Sequence, residues 1–145
     1  MGAEFRDESE VEGRGVRAST PVPPARVLVI DDEEAVARVL RRVLRGCEVT
    51  WCPSGEVACE RYLEGRFAGF DVVFCDVMMP HMDGVELFER VRAGAPDAVR
   101  KLVFLTASAA SSVLAELERS GVPMLPKPFD LEAVREIVRR VVAQG

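Results

Sequence analysis

The sequence predicts an α/β domain, a doubly wound five-stranded parallel sheet with helices on both faces. Three observations predict it. From Arg26 onward, five short apolar runs alternate strictly with five helical stretches. Within the helical stretches, apolar residues recur three and four positions apart, which makes one buried stripe per helix. Acids and a lysine stand at or near the ends of the apolar runs, and open sheets of this kind bind ligands at the carboxyl ends of their strands.

Each element has its own justification. RVLVI at residues 26–30 is a continuous apolar run and reads as a strand buried on both faces. EEAVARVLRRVLR at 33–45 follows as an amphipathic helix, with Val36, Val39, Leu40, Val43 and Leu44 on its apolar stripe. EVTWC at 48–52 is the second strand, and SGEVACERYLEG at 54–65 the second helix, with Ser54 as N-cap and Gly65 as its stop. DVVFCDV at 71–77 and KLVFLTA at 101–107 are the third and fourth strands, flanking the helix DGVELFERVRAG at 83–94. SSVLAELERSG at 111–121 is the fourth helix, ended by Gly121; PMLP at 123–126 is a short fifth strand. Asp130 caps the last helix, DLEAVREIVRRVVAQ, and its charge suits the positive end of the helix dipole. Ahead of all this, residues 1–25 are rich in Glu, Arg, Gly and Pro and show no period, so a linker or disordered tail is expected there and one domain over 26–145.

Composition excludes several classes of function. The chain has 145 residues, enough for one domain with a substantial core, and a net charge of -5, which offers no basic footprint for a nucleic-acid backbone. Cys47, Cys52, Cys59 and Cys75 contain no C-x-x-C pair, and with one histidine they do not spell a zinc site, so reduced thiols are expected. No apolar run approaches the roughly 18 residues of a membrane span, and the N-terminus lacks the basic and apolar regions of a signal peptide. A cytoplasmic protein without membrane contact is expected.

The chemistry concentrates in four residues. Asp31 and Asp32 follow the first strand, Asp76 ends the third apolar run, and Lys127 follows the fifth. Asp31 and Asp32 alone could simply cap the next helix, whereas Asp76 after a buried run is costly unless paired or solvated. If the runs are neighbouring strands, three carboxylates meet, and they raise one another's pKa unless a cation neutralises them. Oxygen donors without clustered His or Cys select a hard ion such as Mg2+ or Mn2+, which keeps open positions for phosphate oxygens. Lys127 would supply the opposite charge for a phosphoryl group, and Thr106 a hydroxyl at a neighbouring strand end.

Together these residues resemble the receiver domain of two-component response regulators, over Arg26 to about Gln144. VLVIDDEE is similar to the family's first strand and acidic pair, and DVVFCDVMMPHMDG to its phospho-acceptor segment. LVFLTA is similar to its hydroxyl-bearing fourth strand, and LPKPF to its lysine loop. The resemblance implies a flavodoxin-like (βα)5 fold with strand order 2-1-3-4-5. It implies Asp76 as phospho-acceptor, and Asp32, Asp76 and the Met78 backbone carbonyl as ligands of Mg2+, with Asp31 acting mainly through water. Thr106 would hydrogen-bond the phosphoryl group, Lys127 would pair with it, and the Lys127–Pro128 bond would be cis. The implied partner is a sensor histidine kinase or phosphotransfer domain, in cis or in trans, with possible homodimerisation through the fourth helix, fifth strand and fifth helix. The lone His81 is read as an ordinary loop residue.

Three positions depart from the family pattern. The aromatic residue that usually couples to the hydroxyl on strand four is Met124 here, a flexible side chain that can follow Thr106 inward without a clean two-position flip. Met78 and Ser108 offer no acid or amide to orient an attacking water, so slow loss of phosphate is expected. The chain ends after the last helix, so output by contact is expected, either as a stand-alone receiver or as the C-terminal receiver of a hybrid kinase. The rival readings are a binding-only pseudo-receiver and a Mg2+-dependent aspartyl-nucleophile phosphatase. The phosphatase would want an acid at Met78, and a dinucleotide-binding domain would want a Gly-rich turn after RVLVI.

Overall fold

The structure is a computed structural model and describes residues 21–107 and 112–145. Residues 1–20 of the linker expected over 1–25, and the position of Ser108, lie outside the described residues. Five strands appear in chain order: β1 Arg26–Ile30, β2 Glu48–Cys52, β3 Val72–Asp76, β4 Leu102–Thr106 and β5 Met124–Pro126. They form one sheet in the order β2-β1-β3-β4-β5, every pairing parallel, which is the expected strand order. The principal helices are α1 Glu34–Val43, α2 Gly55–Ala58, α3 Gly84–Gly94, α4 Ser112–Ser120 and α5 Leu131–Gln144.

Each sheet face carries its own core. Leu28, Ile30, Val73, Cys75, Leu102 and Phe104 face α3 and α4, with Leu87, Val91 and Leu117 packed on them. Val27, Val29, Val72, Phe74, Val103 and Leu105 face the other way, against Leu40 of α1 and Val134 and Val138 of α5. Alternate residues of the same strands therefore serve opposite cores, which is why the runs are continuously apolar. Burying each such side chain contributes about 1.5–3 kcal/mol, so the middle of the sheet is a rigid platform for the residues at strand ends.

The caps follow the sequence closely. Ser54 accepts a hydrogen bond from the Val57 N–H at 3.1 Å, Asp83 from the Glu86 N–H at 2.9 Å, and Asp130 from the Glu132 and Ala133 N–H groups at 3.0 and 3.2 Å. Gly121 takes φ +82° after α4, the left-handed conformation in which a Cβ is strained.

Elsewhere the chain departs from the periodic reading. Val39 does not join the stripe of α1 but stands 40% exposed, and Ala37 takes the buried place. The second helix is four α-helical residues continued by a π-helical segment, Cys59–Leu63, and Gly65 is not its left-handed stop. Arg66 and Phe67 take positive φ instead, at 59° and 54°. The buried Phe67 is held there by its N–H donating to the Tyr62 carbonyl and by Lys101 Nζ donating to its own carbonyl at 3.0 Å. Before β4, residues Pro96–Lys101 form a 3-10 turn, which removes Lys101 from the strand.

Candidate functional site

Four loops at the carboxyl edge of the sheet build the site. β1 delivers Asp31 one residue beyond its end, where the Asp31 N–H donates to the Cys52 carbonyl at 3.1 Å and prolongs the β1–β2 ladder. Asp31 is fully buried, and its Oδ1 accepts the Glu33 N–H at 2.9 Å, which turns the chain into α1. Asp32 is exposed beside it. Asp76 is the last residue of β3, 7% exposed, and the next residue stays in the ladder through the Val77 N–H and the Leu105 carbonyl at 2.9 Å. The loop beyond it closes when the Gly84 N–H donates to the Val77 carbonyl at 2.8 Å. A side chain at that crossing would force its neighbours to give way, because a Cβ on Gly84 would lie 3.0 Å from the Val77 Cα and 3.1 Å from the Phe104 ring.

Lys127 comes from the opposite side. Its backbone N–H donates to the Thr106 carbonyl at 2.8 Å, tying the β5 loop to the end of β4, and Lys127–Pro128 is cis as expected. Its Nζ lies 3.0 Å from Asp31 Oδ2 and 3.5 Å from Asp76 Oδ1. Oxygen atoms of Asp31, Asp32 and Asp76 lie within 4.8 Å of one another, the one such convergence of metal-ligating side chains among the described residues.

The electrostatics are those of an anionic pocket. Burial and then the neighbouring Asp31 charge push the Asp76 carboxyl from 3.8 up to about 6, against the opposing pull of Lys127 and of a backbone hydrogen bond to Met78. Burial also disfavours the charged Lys127, but its hydrogen bond to Asp31 and the two carboxylate charges outweigh it, so its pKa is raised. One ammonium against three carboxylates leaves an excess of negative charge. The donor set, all carboxylate oxygen with one exposed and two buried acids, fits a hard divalent cation.

The remaining expected residues sit around this centre. Thr106 is half-buried at the end of β4, and the Met78 side chain stands 58% exposed beyond Asp76. Met124 is half-buried at the start of β5, paired in register with Phe104 and packed on the core facing α3 and α4. His81 is exposed with φ 72°, outside the acidic cluster. Cys52 and Cys75 are buried, and burial pushes all four thiols up, which disfavours the thiolate form. Three shallow hollows of about 200–270 Å3 are lined by residues such as Arg26, Glu48, Asp71 and Lys101, at the other edge of the sheet from the acids. Among the described residues no helix is long and apolar enough to cross a membrane.

One residue at the site was not expected. The Trp51 indole N–H donates to the Asp31 carbonyl at 2.8 Å. A half-buried tryptophan whose N–H needs a partner was the available signal.

Comparison with known proteins gives a consistent answer. The family model described as "Response regulator receiver domain" matches residues 27–139. Response regulator MprA of Mycolicibacterium vanbaalenii is 36% identical over 123 residues, which cover 81% of this chain and 52% of that protein. The curated relatives it matches are longer, and the chain spans between about a fifth and about half of their lengths. Among solved structures, a putative response regulator from Chloroflexus aurantiacus J-10-fl superposes with a TM-score of 0.69 at 32% identity, covering 83% of this chain and 99% of that one. The receiver domain from hybrid histidine kinase CckA gives 0.61 at 31% identity, covering 81% and 98%. On the extent of the family match and the identity of these relatives, the chain belongs to the receiver domain family of two-component response regulators.

Proposed function

We propose that the chain is the phospho-acceptor module of a two-component phosphorelay and that Asp76 is the residue that accepts. The observation that carries this reading is the convergence of Asp31, Asp32 and Asp76 on one spot, with the Lys127 ammonium held by two of them. An Oδ of Asp76 attacks the phosphorus of a phosphohistidine on a sensor kinase or phosphotransfer domain. The new O–P bond forms as the P–N bond to the imidazole breaks; the electron pair of that bond stays on the departing ring nitrogen, which takes up a proton from solvent unless the other ring nitrogen already carries one.

The other residues act around that transfer. Lys127, 3.5 Å from Asp76, pairs with the incoming phosphoryl oxygens, and the Thr106 hydroxyl donates to them. Asp32, Asp76 and the Met78 carbonyl would hold Mg2+ or Mn2+, with Asp31 acting through water. Bound there, the ion would neutralise charge on the acids and on the transferring group. The site assists its own phosphorylation without turning over a separate substrate. The apolar Met78 supplies none of the acid that an aspartyl phosphatase would want there.

Residues 1–25 act as a linker and 26–145 as the receiver, in a cytoplasmic protein. Phosphorylation shifts the equilibrium of the α4-β5-α5 face, with Met124 following Thr106, and alters contacts with a kinase, a phosphotransfer domain or a second copy. Incubation with acetyl phosphate and Mg2+ followed by intact-mass measurement tests the reading. A gain of one phosphoryl group that EDTA and Asp76→Asn both abolish is expected. No gain in the unaltered chain would favour the binding-only alternative.

A further inference from the structure

We infer that Trp51 is a positioning residue, which fixes the aim of Asp32 toward a divalent cation by holding the peptide that joins Asp31 to Asp32. The inference rests on the cation-dependent reading of the acidic cluster given above. Its starting point is the hydrogen bond from the indole Nε1–H of Trp51 to the Asp31 carbonyl at 2.8 Å. That carbonyl belongs to the Asp31–Asp32 peptide, so fixing its direction fixes the plane from which the Asp32 side chain departs.

The two acids are held very differently. Asp31 is anchored by its N–H on Cys52, by Oδ1 on Glu33 and by Oδ2 on Lys127. Asp32 is exposed, and among the described residues no hydrogen bond or ion pair holds its carboxylate. Its placement within 4.8 Å of the other two acids is therefore set by the main chain. Parallel pairing of Val29 with Trp51 and Ile30 with Cys52 puts Trp51 on the edge strand β2, level with the end of β1. The ring packs on the core shared with α1 and α5, which leaves its N–H, the one polar atom of the side chain, for the loop. Removing that donor leaves the Asp31 carbonyl without this anchor and lets the peptide plane rock. A cation ligand that must be found among several orientations binds its ion less tightly.

The chain has a single tryptophan, so biosynthetic replacement of tryptophan by 3-benzothienylalanine exchanges the indole N–H for sulfur at Trp51 alone. Trp51→Phe is the genetic counterpart. Isothermal titration calorimetry of the full chain with MgCl2 should show an affinity lower by about three- to tenfold in both, the range set by one lost hydrogen bond. Acetyl phosphate labelling at saturating Mg2+ should keep its rate, while the half-saturating Mg2+ concentration rises. A merely structural role would lower the unfolding temperature in EDTA and leave the Mg2+ affinity of the folded protein unchanged. That outcome, with Mg2+-dependent labelling of the unaltered chain intact, overturns the inference and spares the phospho-acceptor reading. An unaltered chain that binds no Mg2+ overturns both.

Discussion

Replacing Asp76 by Asn should stabilise the folded domain, and by an amount that depends on pH. The Asp76 carboxyl is raised from 3.8 to about 6 because it is buried and faces Asp31. A difference of about two pKa units corresponds to about 3 kcal/mol by which the charged form disfavours folding. The native state binds this proton more tightly than the unfolded chain does. The penalty is therefore fully present above about pH 6, is relieved as pH falls toward 3.8, and is gone below that. Asn removes the charge and, like the protonated carboxyl, remains a neutral buried polar group; the pull of Lys127 on the charged form is already contained in that shift, so the net gain at pH 8 should approach about 3 kcal/mol. Urea unfolding of both proteins in EDTA at pH 8 and pH 4 measures it. The gap should shrink toward zero at pH 4, since effects of the other acids are common to both proteins. Adding Mg2+ at a hundredfold excess over its dissociation constant should raise the unaltered protein by about 3 kcal/mol and close the gap. An Asn variant less stable at pH 8, or a gap of equal size at both pH values, would refute the reasoning.

Further predictions follow from the same geometry. Lys127→Met strands the fully buried Asp31 without its cation at 3.0 Å, so chemical denaturation should show a loss of about 2–4 kcal/mol together with slow phosphoryl uptake. Gly84→Ala forces a Cβ to 3.0 Å from the Val77 backbone and should cost about 1–3 kcal/mol in the same assay, with labelling impaired because the Asp76 loop is displaced. The rate of labelling should fall as pH drops through the Asp76 titration near 6, and excess Mg2+ should move that fall to lower pH, because a cation favours the carboxylate. The aspartyl phosphate should persist for minutes or longer in purified protein, and Met78→Glu should shorten its life, followed as loss of the phosphoryl mass.

The parallel sheet and the acidic edge were legible from pattern, whereas the strand order came only with the resemblance to receiver domains. Continuous apolar runs separated by amphipathic stretches admit few packings, and acids just beyond such runs must meet at one edge once the strands are parallel. What escaped depends on contacts between elements. Val39 fits the helical stripe by spacing, yet it stands 40% exposed and Ala37 is buried in its place, a choice made by how α1 seats on the sheet. The π-helical segment Cys59–Leu63 and the left-handed Arg66 and Phe67 are stabilised by Tyr62 packing edge-on against Phe70 and by Lys101 reaching across to the Phe67 carbonyl. No local propensity favours those conformations, and Gly65 was the natural expectation. Trp51 belongs to the same class: its partner, the Asp31 carbonyl, becomes visible only when the β1–β2 register is known.

The central claim is that Asp76 is the nucleophile of this pocket, and locating the label tests it most directly. The chain is phosphorylated with acetyl phosphate and Mg2+, reduced with borohydride, which converts an aspartyl phosphate to homoserine, and mapped by peptide mass spectrometry. Homoserine at position 76 alone is the predicted result. Homoserine at Asp31 or Asp32, or a stable phosphate on His81, would contradict the account.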